Sequence, residues 1–245
     1  MKELSKVIGI VSWLPDNEND RAIRITVFNK LLKQINDYFP EIPLIIIAQN
    51  WKNDTPIILN DAKVYHYNER LGILKARKTL IKTFLYSTEK DYLIMFDDDC
   101  VIKCTTEDAY LQYLKAIDNH PDGFAFLKGD SDDAKSGLGS PNPYKDSCLN
   151  LCAISRKILL ENPMPKVNPE ESIGFEDRVF SMLLHVKCAD SEFDIPSCID
   201  TAHFHDPNIP STWARRKKYK WKQLRDKTVE IERYILNNGK LPQGM

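Results

Sequence analysis

The sequence predicts an α/β protein with a mostly parallel central sheet covered by helices on both faces. Three observations predict it. Short, continuous apolar runs such as KVIGIVS and PLIIIAQ alternate with longer segments whose apolar residues recur at helical spacing. Strands that are apolar along their whole length belong in a sheet buried on both faces, the parallel arrangement. One such run, YLIMF at 92–96, drives straight into three carboxylates, Asp97, Asp98 and Asp99. Parallel sheets bind ligands at their carboxyl edge, so the aspartates fall where a site belongs.

The elements follow in order. Residues 6–12 read as a buried strand, rich in β-branched side chains, and WLPDNEND breaks it. Residues 20–38 read as a helix with Ile23, Val27, Leu31, Ile35 and Tyr38 inward and Asn19 or Asp20 as its cap. Strands are expected at 43–48 and 62–68. The stretch GILKARKTLIKTFLYS at 72–87 reads as a helix with Ile73, Leu74, Leu80, Ile81, Phe84 and Leu85 inward. A fourth strand, 92–96, leads to the aspartates. A helix over 106–118 and a strand at GFAFLKG come next. Residues 129–147, rich in Gly, Ser, Asp and Pro, read as a long loop of the kind that often serves as a lid. CLNLCAIS is strand-like, GFEDRVFSMLLHVK becomes a helix, and SCIDTAHFHDPN reads as a strand ending in a His-rich turn.

The chain has 245 residues, 34 basic and 35 acidic, with a formal charge of -1. That balance argues for no polyanionic partner overall. No run approaches the roughly 20 apolar residues of a membrane span, and the first twenty residues carry no export signal. A cytoplasmic protein is expected, with its six cysteines as free thiols.

Burying three adjacent carboxylates without partners costs several kcal/mol, roughly, so something positive must meet them. Three Asp at a strand end can be a helix cap, a solvated turn or a divalent-metal site, since hard oxygen ligands suit Mg²⁺ or Mn²⁺. Strand alternation would put Asp97 and Asp99 on one side and Asp98 on the other. Glu176 and Asp177 begin a predicted helix whose apolar face is Val179, Phe180, Leu183 and Leu184. Acids there stabilise a helix amino end, or one of them serves as a general base. His203 and His205 alternate, so both can point one way from a strand. Each is a metal-ligand candidate beside the plainer reading of a core or solvent histidine.

A buried strand ending in D-x-D, then E-D at a helix start, then a late histidine resembles the GT-A fold of nucleotide-sugar glycosyltransferases, in the inverting, family-two-like branch. The resemblance covers Lys6 to about Pro210. It implies a glycosyltransferase domain over 1–210, with a nucleotide-sugar half at about 1–104 and an acceptor half at about 105–210. A basic helical tail, 211–245, would follow. It further implies that Ser12 and Gln49 lie at the base and ribose. Gly72, Lys75 and Arg77 would contact the nucleotide, together with Asp97 and Asp98. Asp97 and Asp99 would ligate Mn²⁺ or Mg²⁺, with His205 or else His203 completing the shell. Asp177 would deprotonate the acceptor hydroxyl, with Glu176 beside it. The family pattern continues with Asn and Gly after the arginine, where this chain has Lys78 and Thr79. The implied reaction is transfer from a nucleotide sugar, a UDP-sugar first, to a hydroxyl on a surface glycan, a protein or a hydroxymethylated DNA base.

The alternative is another metal-dependent phosphate chemistry, such as nucleotidyl transfer. No G-x-x-x-x-G-K-[ST] or G-x-G-x-x-G motif is present, and the first strand is followed by an acidic stretch rather than a Gly-rich basic loop. A non-enzymatic binding module is the second alternative. The tail carries eight basic residues and one acid between Arg215 and Lys227, interleaved with Tyr219 and Trp221. That is either a solvated helix face or a set of polyanion contacts, with Arg215, Arg216, Lys217 and Lys220 foremost. The anion would be the donor diphosphate, nucleic acid or anionic lipid.

Overall fold

The structure, a computed structural model, describes residues 3–51, 61–128, 140–144, 148–165, 176–203 and 218–243. Eight strands are described: β1 (Lys6–Trp13), β2 (Leu44–Gln49), β3 (Ala62–Tyr67), β4 (Tyr92–Asp97), β5 (Cys100–Cys104), β6 (Phe124–Phe126), β7 (Cys152–Ser155) and β8 (Ile199–His203). The described helices are α1 (Glu18–Tyr38), α2 (Ile73–Ser87), α3 (Ala109–Asp118), α4 (Arg156–Glu161), α5 (Glu176–Lys187) and α6 (Lys218–Asn238). Six strands form one sheet in the order β3-β2-β1-β4-β7-β6. Its first four are parallel, and β7 runs antiparallel to β4. β5 and β8 form a separate antiparallel pair.

The apolar strands bury both faces, as their composition requires. Ile8 and Ile10 point to one face, where they pack with α1 and α3 through Phe28, Leu31, Tyr113 and Ile117. Val7 and Val11 point to the other, packed with α2, α4 and α5 through Leu80, Ile158 and Phe180. Gly9 lies between Val7 and Val11 for a steric reason. A Cβ there would meet Leu93 Cδ1 at 2.8 Å and Leu80 Cδ1 at 2.9 Å, so its absence lets α2 lie close on β1.

Two helix readings change. α1 starts at Glu18 rather than at 20, because Asn17 is its cap, accepting from the Asp20 amide over 3.0 Å. Its buried stripe is Arg21, Val27, Phe28, Leu31, Leu32 and Ile35, with Ile23 and Tyr38 only half-buried. In α2 the expected inward Ile73 is exposed and Arg77 is buried instead. The long glycine- and serine-rich loop lies outside the described residues except for 140–144.

Because β7 pairs with Tyr92–Met95 of β4, residues from both halves of the chain share one sheet. The C-terminal helix is docked as well. Ile235 of α6 is buried with Val179, Met182 and Leu183 of α5, and Ile231 packs on the same cluster. Among the described residues no helix is long and apolar enough to cross a membrane.

Candidate functional site

Parallel pairing aligns the carboxyl ends of β1, β2, β3 and β4 along one edge. Trp13 is in register with Gln49, Gln49 with Tyr67, and Val11 with Asp97. The three aspartates lie at this edge, but not as an extended D-x-D. β4 ends at Asp97, and Asp98 and Asp99 form a turn into β5. The alternation reading therefore fails at its second step. Asp98, expected to point away, is the most buried of the three, and it shares its partner with Asp99.

That partner is Arg24, on the inward side of α1. Its guanidinium forks, donating over 2.7 Å to Asp98 Oδ1 and over 2.7 Å to Asp99 Oδ2. Asp98 Oδ2 also accepts from the Trp13 amide at 3.1 Å, and the Ser12 hydroxyl bonds the same carboxylate. Burial pushes the Asp98 carboxyl up to about 6, against the opposing pull of Arg24, and Asp99 adds to the rise. On Arg24 burial acts against the charge, but Asp98, Asp99 and Asp97 outweigh it and raise its pKa. The two directions agree: the fork at 2.7 Å keeps the pair ionised near neutrality, and Asp98 takes a proton as pH falls through about 6.

Asp97 has a different cation. Arg77 Nη2 donates to both its oxygens, at 2.8 and 3.1 Å. The same guanidinium reaches Asp177, with Nη1 3.9 Å from Asp177 Oδ2. Arg77 and Asp177 are each 5% exposed, so one buried arginine joins two carboxylates eighty positions apart in the chain. The helix start that carries Asp177 is thereby brought beside the acid turn. β8 converges on it too, since His203 pairs in register with Cys100, the residue after Asp99.

The other expected contacts distribute unevenly. Ser12 and Gln49 do lie at the carboxyl edge, but both are buried and committed to protein partners. Ser12 Oγ accepts from the Trp51 indole at 3.2 Å. Gln49 Oε1 accepts from the Leu71 amide at 2.8 Å, and its amide nitrogen donates to Ser12 O at 3.4 Å. In this structure the polar atoms of both side chains face protein partners at the carboxyl edge where the base and ribose were expected. Gly72 has φ +80, which only glycine adopts without strain, and a Cβ there would meet nothing within 4 Å. It opens α2 with no side-chain cap and no acid in the first turn, where Lys75 is exposed. Glu176 opens α5. His205, Arg215, Arg216 and Lys217 lie outside the described residues, as do the side chains of Glu176, His203 and Lys220.

Sequence reasoning missed Arg24, and a signal for it existed. Arg21, Arg24, Phe28, Leu31 and Ile35 fall on one helical stripe, and an arginine on an apolar stripe needs a buried anion. It also missed Arg70, whose guanidinium lies 4.2 Å over the Trp13 ring. Burial and the neighbouring charge of Arg24 lower the Arg70 pKa. Cys100, Cys104, Cys152, Cys188 and Cys198 are free thiols.

Among the described residues no three His, Cys, Asp or Glu side chains are grouped to hold a metal ion. A Mg²⁺-type cation riding on phosphate needs only one or two protein carboxylates, keeping water and phosphate oxygens for the rest. Asp99, with a side chain 31% exposed, and Asp97, at 17%, are more open than Asp98 at 8%. Asp97 and Asp99 are thus the two carboxylates of the acid turn open enough to reach a cation, and no third described ligand joins them into a free-standing metal centre.

No protein-family model matches the chain, and no curated protein sequence matches it. Solved structures align with it over most of its length. A197 from STIV aligns over 83% of this chain and 87% of its own, at 16% identity and a TM-score of 0.44. A protein described as a glucose-1-phosphate thymidylyltransferase from Bacillus anthracis, in complex with a sucrose, aligns over 93% and 96%, at 10% identity and 0.48. The galactosyltransferase LgtC, in complex with donor and acceptor sugar analogs, aligns over 96% and 97%, at 10% identity and 0.46.

Proposed function

We propose that this protein is a metal-dependent glycosyltransferase that moves a sugar from a nucleotide-sugar donor, a UDP-sugar first, to an acceptor hydroxyl with inversion. The reading is carried by one observation. Asp97, at the end of a buried parallel strand, and Asp177, at the start of a distant helix, converge on one buried arginine, at 2.8 and 3.9 Å. A carboxylate to hold the cation of a diphosphate at the first and one to take a proton at the second is a division of labour that suits sugar transfer.

Each group then has a role. Asp97 and Asp99 would hold Mg²⁺ or Mn²⁺, with His205 or His203 as a further ligand, and the bound ion would supply positive charge for the departing diphosphate. The amino end of α2, with Gly72 and Lys75, offers uncapped amides and a positive charge to the donor's anionic part. Arg77 keeps Asp97 oriented. Asp98 fixes the Trp13 amide and Ser12, and so shapes the floor on which the nucleotide rests. Asp177 takes the proton of the acceptor hydroxyl as the bond to the sugar forms, with Glu176 orienting. The acceptor is a surface glycan, a protein or a hydroxymethylated DNA base, and Arg215, Arg216, Lys217 and Lys220 are its candidate polyanion contacts.

The test is release of nucleoside diphosphate from a panel of nucleotide sugars with Mn²⁺ present, followed by transfer to glycan, peptide and DNA acceptors. Release of pyrophosphate from a nucleoside triphosphate and a sugar phosphate would instead establish nucleotidyl transfer. If none of these donors is bound or cleaved, the enzyme reading fails. For the DNA acceptor, duplex affinity should fall with salt with a log–log slope of about -0.9 per phosphate neutralised. No duplex binding at low salt removes that acceptor.

A further inference from the structure

Behind Asp177 lies a second buried ion pair that the proposed reaction does not use. Arg178 Nε donates to Glu232 Oε1 over 2.8 Å, and its Nη2 to Oε2 over 3.2 Å. Arg178 is 5% exposed and Glu232 0%. Two polar residues from 140–144 close the group. Ser140 Oγ accepts from Arg178 Nη2 at 2.5 Å and donates to Glu232 Oε2 at 2.6 Å. Asn142 Nδ2 donates to Glu232 Oε1 at 3.1 Å and to the Arg178 carbonyl at 3.0 Å. The network thus ties α6, α5 and the chain at 140–142 together around one buried carboxylate.

Stability alone is a poor reason for such a group. A buried ion pair loses most of its Coulomb gain to desolvation, and apolar residues of similar volume often do as well. Apolar packing already joins these helices, through Val179, Met182, Leu183 and Ile235. What the pair adds is direction. A bidentate guanidinium fixes both the rotation and the height of the α5 first turn against α6. Asp177 is the adjacent residue, and its own carboxylate is held by that turn, with the Arg178 amide donating to Asp177 Oδ1 over 2.9 Å.

We infer that Glu232 is a positioning residue: through Arg178 it sets the orientation of the Asp177 carboxylate, which makes the C-terminal helix a working part of the site. The inference rests on the reading of Asp177 as general base. It follows a continuous path, from Glu232 to Arg178, along the first turn of α5 to Asp177, and through Arg77 to Asp97. Sequence reasoning had no reason to select Glu232, which looks like any of the three acids in a charged helix. Its signal is position, since Thr228, Val229, Glu232 and Ile235 are the buried stripe among the described side chains of α6.

The experiment compares wild type with Glu232→Gln and with the double variant Arg178→Met/Glu232→Met. Glu232→Gln should leave the donor KM unchanged and lower kcat by about 100-fold, the scale of a misplacement near 1 Å. The double Met variant should regain thermal stability by apolar packing but not turnover. A role confined to stability predicts that turnover returns with the melting temperature, and that result overturns the inference. Hydrogen exchange gives a readout free of activity. The amides of 176–182 should lose protection in Glu232→Gln by about tenfold or more while those of β1 keep theirs. Unchanged exchange at 176–182 also overturns it. If wild type cleaves no nucleotide sugar, the glycosyltransferase reading fails, and exchange still decides whether Glu232 holds the α5 first turn.

Discussion

Arg24 donates to Asp98 over 2.7 Å from a helix whose other inward side chains are mostly apolar. The same guanidinium holds Asp99. Two carboxylates that repel each other are kept adjacent by one forked cation. Losing it would leave Asp98, with a side chain 8% exposed, as an uncompensated charge. Arg24→Met should therefore lower the unfolding free energy by about 3–5 kcal/mol. Arg24→Lys should recover only part, because an ammonium cannot fork across two carboxylates. Urea unfolding of the three proteins checks this, and wild-type stability in Arg24→Met would contradict it.

The penalty should also depend on pH. Asp98 in the folded protein titrates near 6, above the 3.8 of a free carboxyl, chiefly because it is buried. The folded state thus binds the extra proton between those values, and Asp98's own contribution to stability falls as pH rises from about 4 through about 6. Asp98→Asn removes this titration. The stability of wild type relative to Asp98→Asn should accordingly be greater at pH 4 than at pH 7. In Arg24→Met a lone Asp98 can neutralise itself by protonation, so that variant should suffer most at neutral pH and less on acidification. Denaturation curves across the range settle both, and a wild-type advantage over Asp98→Asn that grows with pH would mean Asp98 is stabilised as the anion.

Most of the fold was legible, because buried strands and amphipathic helices write their periods into the sequence. β1 to β4, α2 and α5 fall where the apolar runs put them. The site was legible as residue types and not as geometry. Asp97, Asp99 and Asp177 stood out because carboxylates next to apolar runs are anomalies. Their pairing did not, since Arg77 entered only through the resemblance, as a nucleotide contact, Arg24 was passed over on its apolar stripe, and long-range pairing leaves no periodic trace. The D-x-D alternation failed because a turn replaced the strand one residue early. Burial of Ser12 and Gln49 was equally invisible, since both types occur on surfaces and in cores.

Removal of single carboxylates separates the proposed donor site from the scaffold. Asp99→Ala should weaken binding of UDP with Mn²⁺ by at least about tenfold, the low end of what a disturbed metal shell costs, and leave the fold intact. Asp97→Ala should weaken it too, but should also destabilise the protein by leaving Arg77, 5% exposed, without its closest anion. Asp99→Ala is thus the cleaner probe. Calorimetry with and without a chelator reads both. Wild-type affinity in Asp99→Ala, or nucleotide binding indifferent to the chelator, removes the metal from the donor site.

Asp177 carries the heaviest chemical assignment and has the sharpest test. Asp177→Asn keeps the shape and an acceptor oxygen for the Arg178 amide, now 2.9 Å from Oδ1. It loses the negative charge and the ability to take a proton. If Asp177 is the base, the variant should fold, keep its donor affinity and lose turnover by about 10²–10⁴-fold. Glu176→Gln should lose far less, because orienting groups act through position. A purely structural Asp177 predicts something different: with Arg77 already bound to Asp97 at 2.8 Å, the amide would cost some stability and little of kcat. Measuring kcat, donor KM and melting temperature together separates the two. Near-wild-type turnover in Asp177→Asn would place the base elsewhere, or make the transfer retaining rather than inverting.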